Sequence, residues 1–162
     1  MGNYDMTNPY DIARYIKEAK KNTLVKVLIN GDLSAVKPAE DVKIFGTGSF
    51  WTLVGDYAAV HALMEANADK ITDSYMESDR RNSAIPQADL TQYDARIEPG
   101  SFLRNPVQVG KGAVVMMGAI INTGAVIGEG TMIDMNAVLG ARATVGKNSH
   151  IGAGAVLAGV LE

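Results

Sequence analysis

From Ile97 onward the chain places an aliphatic residue at every sixth position: Ile97, Leu103, Val109, Val115, Ile121, Ile127, Ile133, Leu139, Val145, Ile151 and Leu157. Four residues after each comes a mostly small side chain: Ser101, Val107, Ala113, Ala119, Ala125, Thr131, Ala137, Ala143, Ser149, Ala155 and Leu161. Turn formers fill two further columns. Gly110, Asn122, Gly128, Asp134, Gly140, Gly146 and Gly152 follow the aliphatic directly, and Gly100, Gly112, Gly118, Gly124, Gly130, Asn136, Asn148 and Gly154 stand three residues after it. Neither a period of 3.6 nor a period of 2 keeps this phase for so long. A short strand and a tight turn per hexad does. Three hexads then close one triangular coil, in which each aliphatic stacks on its equivalents above and below. Gly, Asn and Asp sit where the chain bends and positive φ is cheap. Eleven hexads in one phase exceed the three or so repeats that such stacking needs, and a Gly/Ala-rich linker would not hold that phase.

The first ninety residues follow other rules. Thr7-Asn8-Pro9 reads as a helix start, with a polar cap and Pro at the first helical position, followed by an apolar stripe of Ile12, Ile16 and Ala19. Leu24 to Ile29 predicts a β-branched strand ended by a tight turn at Asn30-Gly31. Val42 to Phe45 and Phe50 to Val54 predict strands around Gly46-Thr47-Gly48-Ser49, which reads as a hairpin turn rather than a phosphate cradle, because no helix follows it. Asp56 to Ala68 predicts a helix with Tyr57, Val60, Leu63 and Met64 on one face, and Ile71 to Met76 a further strand. A segment with Ser83, Pro86 and Asp89 joins this part to the repeat. The expected organisation is a small α/β domain with its linker over 1–88 and a parallel β-helix over 89–162.

Composition narrows the function. A net charge of −3 with no long Lys/Arg run gives no electrostatic case for nucleic acid. No apolar run approaches the roughly 18–20 residues of a membrane-spanning helix, and the polar N-terminus lacks the features of a secretory signal. The absence of cysteine fits a reducing compartment, so a cytoplasmic location is expected. It also removes a thiol nucleophile, and no serine stands in an elbow motif. The two histidines, His61 and His150, are too few for a three-imidazole zinc site, so no metal is expected.

The polar residues that interrupt the repeat are the candidates for chemistry: Asp134 and Asn136, then Arg142, His150 and the terminal Glu162. Asp134 has a structural explanation too, since Asx residues suit these turns. Arg142 reads equally as a solvated charge or a subunit contact. Asp79-Arg80-Arg81-Asn82 is a compact charged cluster that would serve as a solvated loop, although paired arginines also suit a dicarboxylate.

Four stretches carry a family resemblance: Asp79-Arg80-Arg81-Asn82-Ser83-Ala84-Ile85-Pro86, Ala95-Arg96-Ile97-Glu98-Pro99-Gly100, Gly128-Glu129-Gly130-Thr131-Met132-Ile133-Asp134-Met135-Asn136-Ala137-Val138-Leu139-Gly140, and Gly152-Ala153-Gly154-Ala155-Val156-Leu157-Ala158-Gly159-Val160-Leu161-Glu162. Together they resemble the tetrahydrodipicolinate N-acetyltransferases of the diaminopimelate route to lysine. The related N-succinyltransferases share the acidic turn around Asp134 but carry a different N-terminal domain.

The resemblance implies a left-handed hexapeptide β-helix, assembly as a homotrimer with sites in grooves between neighbouring β-helices, and acetyl transfer from acetyl-CoA to the amine of a ring-opened pyridine dicarboxylate. It further implies Asp134 as the acid/base residue with Glu162 beside it, and Asn136, Arg80, Arg81 and Arg142 as holders of the substrate. The donor would lie against Gly152, Gly154 and Ala158. Succinyl transfer to the same substrate, or a trimeric module without catalysis, are the alternatives. Family members continue past the position of Glu162 with further coils and a C-terminal helix, so the sequence reads as a piece of a longer protein, with little transferase activity expected of that piece alone.

Overall fold

A computed structural model describes residues 4–5 and 8–159. Thr7, Leu161 and Glu162, each given a role above, lie outside the described residues. The chain divides into two compact units, Lys20–Ala84 and Met1–Ala19 with Ile85–Glu162.

The first unit is an antiparallel sheet with one helix. Strands β1 (Leu24–Gly31), β2 (Val42–Thr47), β3 (Phe50–Asp56) and β4 (Ile71–Ser78) lie in the order β2-β3-β1-β4. Alternation along β1 turns Val25, Val27 and Ile29 to one face, where they are buried with Leu53 and Val42 beneath Val60 of the helix α2 (Tyr57–Glu65). Asp56 caps this helix by accepting from the Ala58 N–H, which satisfies one of its otherwise unpaired first-turn donors.

Three expectations change here. The helix stops at Glu65 and a short 3-10 turn takes Ala68–Lys70. Tyr57 is exposed rather than part of the helix's buried face. Asn30-Gly31 makes no hairpin: β1 runs through it, and the next strand, β2, pairs with β3 instead. Gly31 sits at a register shift between β1 and β4, where a Cβ would collide with the Lys70 carbonyl oxygen, so the glycine serves a close backbone approach and not a turn. The real hairpin is at Gly48-Ser49, between paired Thr47 and Phe50, with Gly48 at φ 61.

The second unit opens with α1 (Pro9–Glu18), capped by the Asn8 side chain accepting from the Tyr10 N–H, and continues into the repeat. Eleven two-residue strands follow: β5 (Arg96–Ile97), β6 (Phe102–Leu103), β7 (Gln108–Val109), β8 (Val114–Val115), β9 (Ile120–Ile121), β10 (Val126–Ile127), β11 (Met132–Ile133), β12 (Val138–Leu139), β13 (Thr144–Val145), β14 (His150–Ile151) and β15 (Val156–Leu157). They stack into three parallel sheets, β14-β11-β8-β5, β15-β12-β9-β6 and β13-β10-β7.

Val114, Met132 and His150 are direct partners across neighbouring coils, which fixes one coil at three hexads. The hexad aliphatics Leu103, Val115, Ile121, Ile127, Ile133, Leu139 and Val145 are buried, together with the small residues Ala113, Ala119, Ala125 and Ala137. Thr131 takes one of these inward positions, and its hydroxyl donates to the Gly146 carbonyl and accepts from the Ser149 N–H. A buried hydroxyl left without partners would be costly. The architecture is a parallel β-solenoid of hexapeptide repeats, mainly β, joined in one chain to a small α/β unit.

Candidate active site

The three edges of the solenoid differ in how much room they leave for a side chain. On the edge following β7, β10 and β13, the residues after the aliphatic are Gly110, Gly128 and Gly146. A Cβ on Gly128 would lie 2.5 Å from the Gly146 carbonyl carbon and from the Lys147 nitrogen, and one on Gly110 would strike the Glu129 nitrogen. Backbone stacks on backbone there, so no side chain fits. The edge following β5, β8, β11 and β14 is different. Its equivalent residues are Glu98, Met116, Asp134 and Gly152, so three successive coils carry a long or acidic side chain where the first edge has glycine. Functional side chains can project from this edge, and Asp134 does.

Asp134 is well held. Its Oδ1 accepts from the Met135 N–H at 2.8 Å, and its Oδ2 lies 3.1 Å from His150 Nε2. These two contacts, the backbone N–H first and the imidazole second, hold its carboxyl below the usual carboxylate range. His150 is carried on β14, one coil above β11, as the outward neighbour of Met132. Its side chain is 60% exposed, against 21% for Asp134. The sequence singled out His150 as a polar interruption of the repeat but did not pair it with Asp134. The signal was nonetheless present in the register: in an 18-residue coil, position 150 lies over 132, two residues before 134.

The remaining candidates divide among three places. Asn136 shares the Asp134 edge at φ 56, with its backbone N–H donating to the Met117 carbonyl of the coil below. Gly152 and Gly154 are the equivalents of Asp134 and Asn136 one coil up, and the Gly154 N–H donates to Met135 in the same way. Arg142 stands on the next edge, between β12 and β13, at φ 63 with its N–H bonded to the Thr123 carbonyl. Ala158, exposed, follows β15 on that same edge.

Arg80 and Arg81 belong to the other unit, Lys20–Ala84. Within it they line a cleft of about 520 Å³ with Thr23, Val25, Tyr57, Met76 and Ser78. The Arg80 guanidinium is already gripped by Asp79 through two parallel bonds, Nε to Oδ1 at 2.7 Å and Nη2 to Oδ2 at 2.9 Å. That fork holds the Asp79 carboxyl below its ordinary range. Arg81 is exposed. Among the described residues, no three His, Cys, Asp or Glu side chains gather as a metal site would require.

Comparison with known proteins bears on both units. Residues 7–90 match the family model described as the tetrahydrodipicolinate succinyltransferase N-terminal region, and residues 124–159 match the bacterial transferase hexapeptide model of six repeats. A protein of Clostridium botulinum is 57% identical over 159 residues, which are 98% of this chain and 67% of the relative. One of Enterococcus faecalis is 61% identical over 153 residues, 94% of this chain and 66% of the relative. Both are named 2,3,4,5-tetrahydropyridine-2,6-dicarboxylate N-acetyltransferase. The chain belongs to this family. A relative from Caldanaerobacter subterraneus with the same name is 57% identical over 115 residues, 71% of this chain and 47% of its own length. The chain thus spans between about half and two thirds of the family members it matches. The match covers the edge that carries Asp134, Asn136, Gly152 and Gly154 as well as the sheet unit that carries Arg80 and Arg81.

Proposed function

We propose that the protein transfers an acetyl group from acetyl-CoA to the amino group of ring-opened tetrahydropyridine-2,6-dicarboxylate, in the diaminopimelate route to lysine. The observation that carries this reading is identity above half, over nearly the whole chain, to proteins named for that reaction. The geometry supports it through Asp134, an ionised carboxylate on an edge where side chains stand in place of the glycines of the first edge. Amide formation from an amine requires a group that takes the nitrogen's proton, and the acid/base chemistry is assigned to this edge. Asn136, exposed two residues along, is proposed to contact a substrate carboxylate. Gly152 and Gly154 leave bare backbone one coil above, where a thioester chain can approach closely, and the donor is proposed to run from there towards Ala158. Glu162 is proposed as a second acidic group.

Arg142 lies on a different edge from Asp134, so a substrate held by both calls for a second copy of the chain. A homotrimer is proposed on a separate observation. The outward residues of the sheet β15-β12-β9-β6 are Val156, Val138, Ile120 and Phe102, all apolar, with Val156 70%, Phe102 53% and Ile120 44% exposed. The other two faces mix apolar residues with Arg96 and His150, or with Gln108 and Thr144. An apolar column on one flat face is what burial against copies of the same chain would use. Arg80 and Arg81 are proposed to draw in the dicarboxylate, with Arg81 the freer hand because Asp79 occupies the Arg80 fork. A cytoplasmic location follows from the proposed pathway.

A second reading keeps the substrate and changes the donor to succinyl-CoA, favoured by the description of the family model matched over residues 7–90. Thiol release by the full-length enzyme, followed with tetrahydrodipicolinate and each donor in turn, separates the two. Faster release from acetyl-CoA is expected. Faster release from succinyl-CoA overturns the choice of donor, and release from neither overturns the transferase reading.

A further inference from the structure

Asp134 is poorly suited to take a proton itself. A general base works best when its pKa lies near the working pH, and Asp134 is moved away from neutrality by the Met135 N–H and the imidazole it binds. It is therefore ionised at neutral pH and has no proton to donate. The 3.1 Å contact with His150 then has one sense: Nε2 carries the hydrogen and donates to Oδ2, which leaves Nδ1 of the neutral ring with its lone pair free. The ring is held on one side and 60% exposed on the other. A neutral ring anchored through one nitrogen, with the other open to solvent, is placed to accept a proton. Resting on the acyl-transfer reading above, we propose that His150 Nδ1 is the proton acceptor of the reaction, and that Asp134 is the positioning residue that fixes the tautomer and orientation of the ring.

The step balances without a further reagent. The amine nitrogen attacks the thioester carbonyl carbon and a C–N bond forms. The nitrogen's proton passes to His150 Nδ1, which becomes an imidazolium stabilised by the Asp134 carboxylate. The tetrahedral adduct collapses, the C–S bond breaks with its electron pair going to sulfur, and the imidazolium returns its proton to the departing thiolate. The products are an amide, a free thiol and a neutral imidazole. Other charged side chains of the solenoid are engaged elsewhere. Arg96, on the outward face of the same sheet at its far strand β5, pairs with Glu98 at 2.9 Å, and Lys147 pairs with Glu129 at 3.1 Å. Among the described residues, Asp134 lies within hydrogen-bond reach of His150.

The test is kcat against pH for the full-length enzyme as wild type, His150→Gln, His150→Ala and Asp134→Asn, with melting temperatures as the check on folding. Because His150 is largely exposed, its variants should melt with the wild type. His150→Gln is expected to lower kcat by about 10²–10⁴-fold and to remove the rising limb of the wild-type pH profile. Added imidazole should restore turnover to His150→Ala. Asp134→Asn should lower kcat while keeping that limb, and imidazole should not rescue it. Turnover within threefold of wild type in His150→Gln, with the limb intact, overturns the proposal. If the wild type transfers no acyl group from either donor, the transferase reading fails and this proposal fails with it. If the wild type is active and His150→Gln is unimpaired, only the assignment to His150 fails.

Discussion

The Asn136 side-chain oxygen occupies the space that a Cβ on Gly118, one coil below, would need. Both residues have positive φ, 76° at Gly118 and 56° at Asn136. Asn148 sits over Gly130 in the same manner, with Oδ1 2.5 Å from the Cβ position. Alternation of Gly and Asn along an edge thus lets the amide pack down on the bare backbone beneath it. Gly118→Ala is expected to destabilise the fold by about 2 kcal/mol, from the left-handed backbone and the displaced amide together. Adding Asn136→Gly removes the collision and should recover part of that loss. A urea-unfolding double-mutant cycle reads the coupling. Additive effects would show that the two residues do not touch.

Sterics at the glycine edges yield a sharper contrast. Gly128 has no positive φ to require glycine, but a Cβ there meets the Gly146–Lys147 backbone, which has no flexible side chain to move aside. At the equivalent position of the edge after β8, Met116 already carries a half-buried side chain. Gly128→Ala should cost about 2–3 kcal/mol or more, in the range of overpacked cores, whereas Met116→Ala should cost about 1 kcal/mol. Equal effects at the two sites would refute the inequality of the edges.

The same comparison explains what was legible in the sequence and what was not. The hexad phase from Ile97 to Leu157 is a local property, because every coil repeats the same inward aliphatic, and the structure keeps it throughout. In the sheet unit, the pairing of β1 with β3 and β4 is non-local, and nothing near Asn30-Gly31 distinguishes a hairpin turn from a glycine at a close backbone approach. Tyr57 fell on the predicted apolar stripe of α2, yet that end of the helix has no core beneath it. Asp134 stood out because it breaks a column of glycines and apolar residues. The pairing of His150 with Asp134 did not, since the two lie 16 residues apart and meet only once the 18-residue coil is laid out. The capped start of α1 was readable because capping is decided within four residues.

Acid stability follows from the carboxylates held low. Asp32, Asp79, Asp89 and Asp134 all have folded values below the ordinary 3.8: Asp32 chiefly through Ser34, Asp79 through Arg80, Asp89 through Thr91 and Asp134 through the Met135 N–H. A group with a depressed folded pKa binds more protons unfolded than folded. Its stabilisation is present above the unfolded value and is lost as pH falls below about 3.8 and through the lower folded value. The melting temperature should therefore rise with pH across this acidic window. Asp79→Asn, which leaves Arg80 without its fork partner, should lower the melting temperature at pH 7 and flatten the acid slope. An unchanged slope in that variant would show that the Asp79–Arg80 pair contributes nothing to folding.

The apolar column of Phe102, Ile120, Val138 and Val156 makes the strongest prediction about assembly. A side chain at Ile120 is 44% exposed in the single copy, so Ile120→Lys disturbs no core and should leave the melting of the coil nearly intact at low protein concentration. In a trimer built on this face, the same substitution places a cation in the buried interface of each copy, where an unpaired charge is costly. Association should weaken by about a hundredfold or more, seen as a shift from trimer to monomer in sedimentation velocity. Thr144→Lys, on the sheet β13-β10-β7, serves as the control and should stay trimeric. If the site takes Arg142 from one copy and Asp134 from another, turnover should fall with the trimer population. A trimer that survives Ile120→Lys, or a monomer that keeps full turnover, would separate assembly from this face or catalysis from assembly.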